Sequence, residues 1–262
     1  MAGSAAPHGT SRRPVSLAAP LPPWTLTRAS LQAAFTGVEL LVVVAILALV
    51  AALLLPALSK ARQSPHRAAC LSNLRQQSVA WRLYLDDHGG RFPDRRDLKS
   101  VLPEGYRPWT SWPASDPRAG WAAIVLGNTM GIGKAWSCPA AQSAAWNSSP
   151  QARQFTSADT HAAPVRYWMW RFDRADEPVP SDNFWNRSEE ECVATLRAAA
   201  TAPSAPPNGP SDVELAVDVY FPATIQALPE SLRGRAAHAG GRNRLLLDGH
   251  AAYVGDPRTP GR

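Results

Sequence analysis

Phe35-Thr36-Gly37-Val38-Glu39 opens a stretch that then runs apolar from Leu40-Leu41-Val42-Val43-Val44-Ala45-Ile46 to Leu53-Leu54-Leu55-Pro56-Ala57-Leu58. From Leu40 to Leu58 is 19 residues, about 28 Å of helix at 1.5 Å each, close to the thickness of a bilayer core. Glu39 is the one charge in it. A carboxylate at membrane depth is costly and marks a functional position, so Glu39 requires a partner, either in its own chain or as a positive group on a neighbouring copy. The segment therefore reads as an assembly element as well as an anchor. Pro56, near the outer end, removes one backbone hydrogen bond and is expected to bend the helix. Lys60, Arg62 and Arg67 come next, at the headgroup level. Pro65 is expected to interrupt the helix once more, with Ser64 capping the next helical segment.

Upstream, residues 1–34 carry Arg12, Arg13 and Arg28, no acid, and five prolines. A basic, proline-punctuated stretch ahead of an apolar run fits an N-terminus kept in the cytoplasm. No small-residue cleavage site comes after the apolar run, which excludes an ordinary secretory signal peptide. Removing the leader takes three arginines and no acid, lowering the formal charge from +6 to about +3. Net charge then gives no reason to expect a nucleic-acid partner.

Beyond the anchor, Leu71, Leu74, Ser78, Trp81 and Leu85 recur at spacings of three and four, one face of an amphipathic helix, while Arg75, Gln76 and Arg82 lie elsewhere. This face is expected to pack on a globular domain. Asp86-Asp87-His88-Gly89-Gly90 ends the helix, because glycine takes the left-handed dihedrals that close one.

The N-terminal residues resemble the start of type IV pilins and type II secretion pseudopilins, in the Phe-Thr pair, the acid four residues after the Phe, and the two apolar runs. The resemblance implies cleavage by a prepilin peptidase between Ala34 and Phe35, N-methylation of Phe35, and Glu39 as the carboxylate that meets a neighbouring subunit's amine. Ala34 stands where the family prefers Gly, and Gly37 where it usually has Leu. The run Ala69-Cys70-Leu71-Ser72-Asn73-Leu74-Arg75-Gln76, then Tyr84, Asp87, Gly90 and Phe92-Pro93, resembles the large planctomycete and verrucomicrobial branch of this family. So does His238 followed by nine residues and Asp248-Gly249.

Read physically, Asp248-Gly249 is a two-residue hairpin signal between Arg244–Leu247 and His250–Val254, with both turn residues at positive φ. Turn chemistry explains both residues, so a metal or catalytic pairing of His238 with Asp248 is not expected, and His250 reads as solvated. Val213–Phe221 alternates as a strand after a proline-rich linker at Ala202–Pro210. Arg166–Phe172 reads as a second strand whose aromatic residues form core rather than a sugar platform. Glu189-Glu190-Glu191 followed by Val193–Ala200 is a helix with acids at its positive end.

Two motifs fail. The stretch from Gly127 to Ala135 is close to a phosphate-binding loop, but that pattern needs Gly at 128 and Ser or Thr at 135 and meets Asn128 and Ala135. Asp86, Asp87 and Asp94 lack the spacing of a calcium loop. Cys70, Cys138 and Cys192 are too scattered for a zinc pattern; one bridge and one free thiol are expected, with all three pairings open.

The expectation is an α+β protein: leader 1–34, membrane-spanning helix 35–58, amphipathic continuation 59–88, and a loop-rich extracytoplasmic domain 89–262. Its small antiparallel sheet ends in a β-hairpin. The resemblance implies a non-enzymatic pseudopilin-like subunit of a type II secretion-type filament. It sits single-pass in a bacterial inner membrane, with the N-terminus cytoplasmic and the domain periplasmic. Its partners are the prepilin peptidase, other pilin-like subunits and the membrane, with no cofactor or metal. A type IV pilus subunit, or a tethered carbohydrate-binding or hydrolytic domain, is the alternative. A hydrolase requires paired carboxylates, and no local pattern reveals them.

Overall fold

The computed structural model describes residues 36–108, 115–159, 163–173, 183–200 and 205–260, with side chains described for all of these but 56, 57, 59–63 and 145. Ala34, Phe35 and the leader lie outside the described residues. The chain divides into two units, Met1–Val50 and Ala51–Arg262.

Helix α1 spans Gly37–Asp87. Its stretch Gly37–Leu55 is long and apolar enough to cross a membrane, and none of it is buried. In the second unit the same helix becomes amphipathic. Cys70, Leu74, Gln77, Trp81 and Leu85 are buried, at spacings of four, three, four and four. The buried stripe is thus turned slightly from the one expected, with Leu71 and Ser78 on its flank. Gln77 lies in that stripe, fully enclosed, with its Nε2 donating to the Ala135 carbonyl at 3.0 Å.

Pro65 does not interrupt the helix, and Ser64 lies inside it rather than capping a new one. A proline inside a helix costs about 3 kcal/mol. Here the docked turns beyond it, with Leu74, Trp81 and Leu85 in the core, offset that cost. The helix likewise continues through Pro56 without a break. It closes where the Leu85 carbonyl accepts from His88 N and Gly90 N at 3.2 and 2.7 Å, with Gly89 and Gly90 at φ of +62° and +74°.

Among the described residues the second unit also holds six short strands: β1 (Tyr167–Trp168), β2 (Glu214–Asp218), β3 (Tyr220–Phe221), β4 (Arg235–Ala236), β5 (Gly241–Leu246) and β6 (Ala251–Gly255). They form an antiparallel sheet in the order β1-β2-β5-β6 and a two-stranded β3-β4 sheet. The protein is therefore mixed α+β. The expected strand 213–221 is two strands. The strand breaks at Val219, whose carbonyl accepts from Ala237 N at 3.0 Å, and β3 pairs with β4 instead of extending β2. The expected strand 166–172 keeps only Tyr167 and Trp168. Met169 N bonds the Pro117 carbonyl at 2.7 Å, and a 3-10 turn at Trp170–Phe172 drops Phe172 into the core.

Aromatic rings fill that core. Trp81 of α1 meets Phe92, Trp121 and Phe172 at centroid distances of 5.5, 6.0 and 6.5 Å, and Phe172 continues to Phe184 and Trp185. A second group joins Trp168 to Tyr220 and Phe221, and Phe221 to Trp146. With aromatic residues buried in this way, residues 166–172 serve packing and not a surface platform.

One polar cluster is as enclosed as the rings. Lys99 Nζ donates to the carbonyls of Asp116 and Arg118, and the Arg118 guanidinium grips the Asp116 carboxylate at 2.7 and 2.8 Å. Burial pushes the Lys99 ammonium down to about 8, against the attraction of Asp116 and Asp173. Burial also raises the Asp116 carboxyl, but the Arg118 hydrogen bond and the charges of Lys99 and Arg118 outweigh it and hold it below the usual range.

Candidate functional site

Two regions carry the residues singled out by the sequence. The first is the start of α1. Thr36 N and Oγ1 donate to Glu39 Oε2 at 2.9 and 2.8 Å, and Glu39 N donates back to Thr36 Oγ1 at 3.3 Å. This is a capping box, Thr-x-x-Glu, satisfying otherwise orphaned donors at a helix start. Glu39 thus has a partner within its own chain, one of the two possibilities its sequence left open; the Thr36–Glu39 spacing is the signature of such a cap and could have named it. The processing residues Ala34 and Phe35 lie outside the described residues. Pro56 is helical in backbone, and its side chain is not among those described.

The second region surrounds His238. The segment His238-Ala239-Gly240-Gly241 makes a tight turn into β5: Gly241 N bonds the His238 carbonyl at 3.3 Å and Gly240 sits at φ +71°. Gly241 is fixed by space rather than by φ, since a Cβ there would stand 2.2 Å from the Val254 carbonyl oxygen. The turn aims the buried imidazole inward, where Nε2 lies 3.1 Å from Asp218 Oδ2 and 3.7 Å from Cys138 Sγ. Asp218, at the end of β2, also accepts from Asn243 N at 2.9 Å, while its Oδ1 is buried with no hydrogen-bond partner among the described residues. Cys138 precedes a 3-10 turn that Pro139 opens, and it is disulfide-bonded to Cys70 of α1. Asn73, one turn along α1 from Cys70, donates to Tyr167 Oη at 3.2 Å. Burial, and then the Asp218 charge, push the Tyr167 phenol well above its ordinary value.

The carboxylate against His238 is Asp218, not Asp248. Asp248 is exposed and accepts from His250 N at 2.9 Å within its own turn. That turn also departs from expectation. The β5–β6 register places Leu245 opposite Ala251, so the loop has three residues, Leu247-Asp248-Gly249, closed by Gly249 N to the Leu246 carbonyl at 3.0 Å. Only Gly249 takes a positive φ, +88°, the pattern of a turn followed by a glycine bulge. Its carbonyl accepts from Ser78 Oγ of α1 at 2.9 Å, and Arg82 donates to the Leu247 carbonyl at 3.2 Å.

Cys70, Cys138, Asp218 and His238 are thus brought together, all buried, with one donor atom from each within 4.8 Å of the others. The scattered cysteine spacing carried no sign of this. The legible hint was Asp218, a lone acid between Val217 and Val219 in an otherwise apolar run from Leu215 to Phe221. Cys192 stays apart as a buried free thiol, pushed up to about 12 by burial. Comparison of the chain with family models, curated proteins and solved structures finds no match among any of them.

Proposed function

We propose that the chain is a pilin-like subunit of a secretion-type filament, cut before Phe35 by a prepilin peptidase, methylated there, and assembled through the first half of α1. The observation that carries this reading is the exposed apolar stretch Gly37–Leu55 with one acid, Glu39, in its first turn. A membrane anchor needs the apolar length alone; an acid at that depth calls for an added role. The capping box supplies part of it, and in this reading the negative charge of Glu39 also meets the amine of a neighbouring subunit. In this reading the second unit is the non-catalytic, extracytoplasmic part of the subunit.

Coexpression with a prepilin peptidase in bacterial membranes, followed by N-terminal sequencing of the product, tests the proposal. The expected mature chain begins at Phe35 and carries an N-methyl group, and Ala34→Gly speeds the cut. A product that retains residues upstream of Ala34 sinks the filament reading and leaves a membrane-tethered domain.

A further inference from the structure

We propose that the buried centre at Cys70, Cys138, Asp218 and His238 has a second chemical state. With the disulfide reduced, these four residues hold one divalent ion of the zinc class. The donors come from four separate segments of the second unit, and each residue is at most 5 % exposed. A tetrahedral site with metal–ligand distances of about 2.0–2.3 Å sets its donors roughly 3.3–3.8 Å apart. His238 Nε2 stands 3.7 Å from Cys138 Sγ, inside that range, and the Asp218 carboxylate lies against the same nitrogen, its Oδ2 at 3.1 Å, so that a small turn of the side chains brings its unpartnered Oδ1 to the ion. The two sulfurs need only part by side-chain rotation once their bond is broken. Two thiolates, an imidazole and a carboxylate form a soft, mixed donor set that suits zinc and not calcium or magnesium.

A second observation points to a ligand. Asp218 Oδ1 is buried with no hydrogen-bond partner among the described residues. A buried carboxylate oxygen left unmatched is unfavourable, and a cation beside it removes that cost. Asn243 N fixes the other oxygen at 2.9 Å, so the carboxylate is oriented as metal-ligating carboxylates are, by a hydrogen bond from outside the site.

The chemistry balances with a dithiol as reductant. The dithiol transfers two electrons and two protons, breaking the Cys70–Cys138 bond and closing its own disulfide. The two protein thiols then release two protons as their sulfurs bind the ion. His238 adds through the lone pair of neutral Nε2, and Asp218 adds as the carboxylate. A small-molecule disulfide, taking back two electrons and two protons and becoming a dithiol, re-forms the Cys70–Cys138 bond and releases the ion, so the same sulfurs tie α1 to the loop at Cys138 in either state. The centre is independent of the filament reading.

The experiment uses the full chain in detergent, in a Cys192→Ser background, reduced with a dithiol and titrated with cobalt(II) as a coloured stand-in for zinc. Expected is one cobalt per chain, with sulfur-to-metal charge-transfer and tetrahedral d–d bands that zinc abolishes. Cys138→Ser cuts the charge-transfer intensity by about half or more, and Cys70→Ser with Cys138→Ser removes it. His238→Ala and Asp218→Asn each weaken binding by roughly tenfold or more, with folding checked by near-ultraviolet circular dichroism. Asp218→Asn preserves shape, so it decides the matter where His238→Ala misfolds. A reduced chain that keeps its fold but shows no thiolate–cobalt bands overturns the proposal. So does a reduced chain that stays unfolded with zinc present, or binding unchanged in both His238→Ala and Asp218→Asn.

Discussion

Gly249 shows how one residue answers to two constraints. Its φ of +88° lies where a side chain is strained, and a Cβ would stand 2.8 Å from Ser78 Oγ on α1. Gly249→Val is therefore expected to destabilise the protein by about 1–3 kcal/mol, read as a fall of several degrees in the melting temperature. Asp248→Ala, at an exposed residue with ordinary φ, costs less. A Gly249→Val protein that melts with the wild type contradicts the bulged turn. Gly249 was recognisable as a turn residue from Asp-Gly alone. Its second role was not, because Ser78 lies 171 residues away in the chain.

Among the elements, the helix Glu189–Ala199 shows a start written in four residues. Ser188 Oγ accepts from Glu191 N at 3.2 Å and Glu191 Oε2 accepts from Ser188 N at 2.9 Å, a complete capping box. Arg91 clasps Glu191 at 2.8 and 3.0 Å, and Arg82 of α1 meets Glu189 at 2.7 Å. Exposed pairs of this kind add little, so the cap should dominate. Ser188→Ala is expected to cost about 1 kcal/mol and Ser188→Asp to recover most of it, measured by chemical denaturation. Equal stability of Ser188→Ala and wild type would show that the tertiary contacts, not the cap, hold this end.

At the scale of the whole molecule, Lys99 links stability to pH. Its folded value, about 8, lies below the ordinary 10.5, so between these the unfolded chain binds the proton more firmly than the folded one. Stability from this group therefore rises as pH increases from about 8. Tyr84, Tyr167 and Tyr220 act oppositely: burial raises each in the folded state, so their contribution is lost as pH climbs past 10. Denaturant melts are expected to give higher stability at pH 9.5 than at pH 7.5, a rise absent in Lys99→Met. The same rise in Lys99→Met would assign it to other groups. Assembly belongs to this scale too, and the capping box sharpens its test. Glu39→Gln keeps an acceptor for Thr36 but loses the charge, whereas Glu39→Leu loses both. If the charge docks a neighbouring subunit, both variants insert into membranes and both lose crosslinks between subunits. Crosslinking retained by Glu39→Gln would reduce Glu39 to a helix cap.

The features legible in the chain alone are local in origin. The apolar stretch from Leu40, the docked stripe of α1 through Leu74, Trp81 and Leu85, the close of the helix at Gly89-Gly90 and the turn at Gly249 each depend on residues a few positions apart, and periodicity or backbone preference reports them. Which buried residue meets which was settled by packing in three dimensions. Packing set His238 against Asp218 rather than Asp248, divided residues 213–221 between two sheets, and bonded Cys70 to Cys138 across a separation of 68 residues. A hydrophobic pattern tells that a position faces inward but not what stands opposite. Four donors from α1, the loop before Pro139, β2 and the turn into β5 come within 4.8 Å of one another only when those elements pack, because no local preference links residues so far apart in the chain.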